Sequence, residues 1–137
     1  MLTAQLAPGL TAFRLTLHVL AAAVWVGGQI TVAGLVPTAR ALSPDAPRQV
    51  AGAFARLSWP AYVVLVATGI WNVAAVAKGQ PSTWTAVLVA KIAVVALAGV
   101  SAWRHGASRS RTGLAVWGTI TSLSSLAALI MGVLLAG

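Results

Sequence analysis

Two ionisable side chains stand inside otherwise apolar runs, and any chemistry in this chain would begin with them. His18 lies in Leu17-His18-Val19-Leu20-Ala21-Ala22-Ala23-Val24-Trp25-Val26-Gly27-Gly28, and Lys91 lies in Val89-Ala90-Lys91-Ile92-Ala93. A charge in hydrocarbon costs several kcal/mol by most measures, so each is first read as a functional residue. An imidazole can ligate a metal or carry a proton, and an ammonium can hold an anion. With no cysteine in the chain, thiolate sites and disulfides are excluded. A metal would have to use His, Met, oxygen ligands or a cofactor.

The elements that position these residues follow from composition. The chain has 137 residues, of which 59% are hydrophobic and 7% charged. A soluble domain carries about 25% charged residues. The mean hydropathy is +0.91. The composition predicts an all-α integral membrane protein, one domain over residues 1–137. Four spans can be drawn, at about 13–36, 59–77, 83–103 and 114–136. Each is near the ~20 residues that cross a bilayer. The first is too long for the apolar region of a signal peptide and has no basic segment before it. The links are short, which predicts an up-down antiparallel four-helix bundle. Within the first link, 37–58, residues 49–57 are read as a short interfacial helix.

The charge balance is nine Lys and Arg against one acidic residue. The basic residues are spread over the links and form neither a basic helix nor an RNA-binding aromatic motif, so nucleic acid is not expected as a partner. They fit positive-inside topology and contact with the headgroups of the lipid bilayer. Arg40, Arg48 and Arg56 fall in the first link, and Arg104, Arg109 and Arg111 in the third. Arg14 and Lys78 fall on the opposite side. This asymmetry predicts a multi-pass protein of the plasma membrane with the first and third links cytoplasmic and both termini outside.

At about 1.5 Å per residue, His18 lies ~7–8 Å from the outer end of its span and Lys91 ~12 Å from the same side. Asn72 and Met131 each lie five residues from the outer ends of spans two and four. Helical phase places Arg14, His18, Trp25 and Gln29 on one face of span one. Trp84 and Lys91 share a face of span three, and Trp117, Thr121, Ser124 and Met131 share one of span four. Four such stripes turned inward would frame one pocket in the outer half of the bundle.

Most of these residues also have plainer roles. Arg14 at a span end can snorkel to headgroups. Trp59, Trp84 and Trp103 suit an interfacial belt, whereas Trp25 falls too deep for one. Met131 can simply pack, and His105 beside Arg104 is expected to be solvated. Gly27, Gly28 and Gly34 suit close helix packing.

The run from Leu17 to Gly28, a His followed by small apolar residues, Trp and Gly-Gly, resembles the first helix of the copper resistance protein D (CopD) membrane domain. Arg56-Leu57-Ser58-Trp59-Pro60 through Ala67-Thr68-Gly69-Ile70-Trp71-Asn72 resembles that family's next helix, which ends in a Thr-Gly pair. Leu88-Val89-Ala90-Lys91-Ile92-Ala93 resembles its lysine-bearing helix. The likeness covers about residues 12–105 and implies copper binding, transport or homeostasis. A second likeness is to HemJ-type protoporphyrinogen oxidases, small four-helix haem proteins. It rests on the His before Trp, on Pro37-Thr38-Ala39-Arg40, and on the later lysine. It implies haem b on the first-helix histidine and a haem-linked redox role.

The residues themselves leave both ligands open. His18 with the Met131 thioether makes a two-ligand candidate for copper. Arg14 and Lys91 at nearby depth would repel a cation and would suit haem propionates, with Trp25 against the ring. Hydrolytic catalysis is not expected, because there is no carboxylate pair, no Ser-His-Asp set and no phosphate-binding glycine loop. Any enzymatic activity would be that of a haem-dependent membrane oxidoreductase, with the chemistry carried by the cofactor. One core histidine makes a poor conduit alone, so a homo-oligomer or an extracytoplasmic metal-binding partner is expected.

Overall fold

In a computed structural model, which describes residues 6–137, the chain folds into four long antiparallel helical rods. The first rod, Gly9–Leu42, is α1 (Gly9–Ala22), a single π-helical turn (Ala23–Gly27) and α2 (Gly28–Leu42). The others are α3 (Ala46–Val76), α4 (Ser82–Ala107) and α5 (Arg111–Ala136). All four are long and apolar enough to cross a membrane.

The links are shorter than hydropathy suggests. Residues 37–42 continue α2, with Pro37 inside the helix, and 46–58 belong to α3, which also contains Pro60. The expected interfacial helix over 49–57 is therefore the first part of α3. Arg40, Arg48 and Arg56 sit on helix rather than in a loop. Only Ser43–Asp45 turn the chain, where the Ser43 hydroxyl accepts from the Asp45 and Ala46 amides and Pro47 stands in the first turn of α3. Gly79 turns α3 into α4 with a φ of 80°, a conformation that favours glycine. Ser110 caps α5 by accepting from the Gly113 amide at 3.0 Å.

The interior is small and polar, and the surface is apolar. Among the described residues, the buried apolar side chains are Ala21, Trp25, Val26, Ala39 and Ala98. Arg14, Ser58, Thr68, Ser101, Thr121, Ser124 and Ser125 are buried with them. Val19, Ile30, Val63, Ile92, Leu123 and Val133 point outward. In lipid there is no gain from hiding Leu from the solvent, so helices associate through close packing of small residues and interhelical hydrogen bonds.

Those bonds close the bundle into a ring. His18 bonds Thr68 between α1 and α3, and the Tyr62 hydroxyl donates to the Val95 carbonyl between α3 and α4. Trp84 donates to the Leu135 carbonyl, and Thr121 donates to Ser101, between α4 and α5. Trp25 donates to Ser125, joining α5 back to the first rod. Glycine permits two of the approaches. A Cβ at Gly28 would overlap the Phe54 ring, and one at Gly99 would overlap the Tyr62 phenol. Gly27 and Gly34 face open space and do not share this role.

Candidate functional site

His18 projects from α1 onto α3, where its Nδ1 lies 2.8 Å from Thr68 Oγ1. Thr68 is buried and directs its one hydroxyl proton back to the Val64 carbonyl at 2.6 Å. Its oxygen is left to accept, so Nδ1 carries the imidazole proton and Nε2 carries the lone pair. Gly69 lies beside the ring, where a Cβ would meet His18 Cε1 at 3.5 Å, an ordinary contact. Thr68 of the Thr-Gly pair thus sets the tautomer of the ring, and Gly69 packs at its edge.

One turn further out on the same two helices are Arg14 and Asn72. Each is four residues from the His18–Thr68 level, or about 6 Å along antiparallel axes. Arg14 is only 7% exposed, which removes the snorkelling role open to a residue at a span end. Its Nε and the Asn72 Oδ1 are both buried without hydrogen-bond partners among the described residues. Such groups cost about 1–3 kcal/mol each when left unmade. The chain's one acidic residue, Asp45, lies in the turn at the opposite end of these helices, so no side-chain carboxylate offsets Arg14.

Trp25 belongs to a second, deeper cluster. It occupies the π-helical turn, a distortion that often marks functional positions. Its indole donates to Ser125 at 2.9 Å, and the Gln29 amide donates to the same hydroxyl at 3.2 Å and to the Trp25 carbonyl at 2.9 Å. Gln29 Oε1 has no partner among the described residues. Trp25 also packs on Tyr62 and Trp59, with ring centroids 4.6 and 5.7 Å away. Trp59 is the outer member of this aromatic cluster and remains 36% exposed. Trp103, 61% exposed, does face outward as a belt residue would.

Lys91 lies on the α4–α5 seam. A Cβ at Gly132 would come 2.9 Å from its Nζ, so the ammonium occupies space that the glycine leaves open. Counting along α4 from the Tyr62–Val95 link places Lys91 within about one turn of the His18 level. Met131 is half-buried on α5, which packs principally on α4, while α1 packs principally on α3. Of the side chains expected to frame one pocket, the structure thus groups Arg14 and Asn72 with His18, and Thr68 joins them. It sets Trp25 deeper, and Lys91 and Met131 on another seam.

His105, expected in solvent, is half-buried. Its Nδ1 lies 2.9 Å from the Leu114 carbonyl, and its ring covers Gly118. It docks the start of α5 onto the end of α4. Among the described residues, no three His, Asp or Glu side chains form a metal-holding group. No protein-family model matches the chain, and neither a curated protein nor a solved structure matches it.

Proposed function

We propose that this is a copper-handling membrane protein of the kind the copper resistance D likeness implies, with His18 Nε2 as its central metal donor. The observation that carries the reading is the His18–Thr68 bond. Metal-ligating histidines almost always donate their other ring N–H to a fixed acceptor, which orients the ring and raises its basicity. Thr68, with its proton committed to Val64, is such an acceptor. Copper is the cargo in this reading. Its remaining ligands would come from the Met131 thioether after a shift of helices, from water, or from a partner chain of the same or another protein.

A second reading has its own observation. The buried, partly unpartnered Arg14 beside a free imidazole nitrogen suits an anionic metal complex better than a bare cation. Haem b fits that description: His18 would hold the iron and Arg14 a propionate, with Lys91 as a further cation at similar depth. The iron would then supply one-electron chemistry, while the chain's own residues bind and orient.

An absorption spectrum of the detergent-purified protein, with metal analysis on the same sample, separates the two. Copper near one equivalent without a Soret band supports the first reading, and a Soret band supports the second. Neither signal, in protein purified from copper- and haem-replete cells, removes both. The charge asymmetry further supports a plasma-membrane protein with both termini outside. Reporter fusions at Asp45 and Ser108 should both read cytoplasmic, and one after Gly137 should read outside. Opposite readings at Asp45 and Ser108 would contradict that orientation.

A further inference from the structure

At the arginine-rich end of the bundle, far from His18, a cavity of about 500 Å³ opens between α2 and the start of α5. Its lining is Val36, Arg40, Arg111, Leu114 and Ala115. The volume falls within the ~300–1,000 Å³ of small-ligand sites. Two exposed arginines from separate helices share this lining with three apolar side chains, which make up its floor. The one acidic residue of the chain, Asp45, lies in the turn after α2 at this same end, so at most one of the two positive charges can be offset from within the chain. Arg104, on the same end, lies 5.2 Å from the centre of the Trp117 ring, so the arginines here do not share one role.

We propose that this groove is a binding site for an anionic phospholipid. The two arginines take the phosphate of the headgroup, and Val36, Leu114 and Ala115 receive the upper part of an acyl chain. The chemistry of the groove argues for this occupant. A guanidinium pairs with phosphate oxygens through two parallel N–H donors, and two such forks from different helices can hold one phosphodiester. A free inorganic anion would have no use for the apolar floor. A neutral phospholipid would gain the floor but would set its choline or ethanolamine cation beside the arginines. The position suits a lipid, since Arg40 and Arg111 lie where the apolar rods give way to the basic ends. A lipid bridging the two helices would clamp the first rod to the last at this end of the ring, opposite the His18 level.

The test is native mass spectrometry of the full-length protein released from a neutral detergent, titrated with phosphatidylglycerol, phosphatidylcholine of the same chains, and inorganic phosphate. The expected result is one retained phosphatidylglycerol, little phosphatidylcholine, and no displacement by millimolar phosphate. Arg40→Gln with Arg111→Gln should weaken that binding roughly 10- to 30-fold. Arg48→Gln with Arg109→Gln, which removes the same charge elsewhere, should leave it nearly unchanged. Ala115→Phe fills the floor without altering charge and should also weaken it, so the idea can be judged even if the double arginine variant does not fold. Equal loss in the two double variants would reduce the effect to general surface charge and overturn the site. Displacement by inorganic phosphate would make it a free-anion site, and equal retention of phosphatidylcholine would remove the role of the arginines.

Discussion

The two long seams of the bundle handle buried polar groups in opposite ways. On the α4–α5 seam, away from the Lys91 ammonium beside Gly132, the hydroxyls are closed upon themselves. Thr121 donates to Ser101, Ser101 donates to the Leu97 carbonyl at 2.7 Å, and Ser124 donates to the Ile120 carbonyl at 2.6 Å. On the α1–α3 seam His18 has one nitrogen held and one free, and Arg14 and Asn72 leave buried polar atoms unpaired. Both seams lie in a membrane bundle and bury polar side chains, so burial alone does not mark a site. The difference lies in satisfaction. A closed seam is glue, whereas unmet donors and acceptors within two adjacent turns leave hydrogen-bonding capacity for a group from outside the seam.

The contrast can be broken at Thr68. Thr68→Val keeps the shape and removes the acceptor for His18 Nδ1. Loss of such an outer-shell partner should weaken metal or haem binding about 10- to 100-fold, measured by competition with a chelator or by haem titration. An unchanged affinity would mean that the His18–Thr68 bond serves only the packing of α1 on α3.

Gly99→Ala acts on structure alone. Its methyl group would overlap the Tyr62 phenol and displace the bond to Val95, costing about 1–3 kcal/mol as an overpacked core does. Thermal unfolding in detergent should show the loss, and the occupancy of His18 in the protein that remains folded should not change.

Lys91→Met sharpens the nature of the ligand. If His18 holds haem and Lys91 helps compensate its charge, binding should weaken by a few-fold. If it holds copper, binding should stay the same or tighten, because a repulsive charge has gone and a thioether has been added. Copper bound more weakly in a folded Lys91→Met protein would point instead to an indirect role through the α4–α5 seam.

The smallest effect belongs to the closed seam. Ser101→Ala should cost only about 0.6 kcal/mol, the average for a side-chain hydrogen bond between membrane helices. It should leave ligand binding unaffected, and a ligand effect comparable to that of Thr68→Val would erase the distinction between the seams.

Much of this architecture can be read from the sequence, and the parts that cannot have definite causes. Apolar length and short links are enough to specify four antiparallel spans, and helical phase correctly sets Arg14 and Trp25 on an inward face. Hydropathy marks where hydrocarbon is crossed, not where a helix ends. The first rod therefore runs on to Leu42 and α3 begins at Ala46, through prolines that read as breakers. The π-helical turn has no signature in residue type, although it sets the local phase around Trp25. The His18–Thr68 pairing depends on the mutual rotation of two helices, which span periodicity leaves free. Thr68 and Gly69 nonetheless signal the site in hindsight, as a polar residue and a missing side chain side by side in an apolar run. Ser125 and Tyr62 gave no such signal, because a lone hydroxyl in a membrane helix most often bonds its own backbone.

The central claim is that His18 Nε2 is the donor around which the α1–α3 seam is left open. The most direct measurement is the visible spectrum and the copper and iron content of the wild-type protein, purified beside His18→Ala and His105→Ala and checked for equal helicity. The account predicts about one copper or one haem per wild-type chain, the same in His105→Ala, and essentially none in His18→Ala. Equal occupancy in all three proteins, or equal loss in both variants, would contradict it.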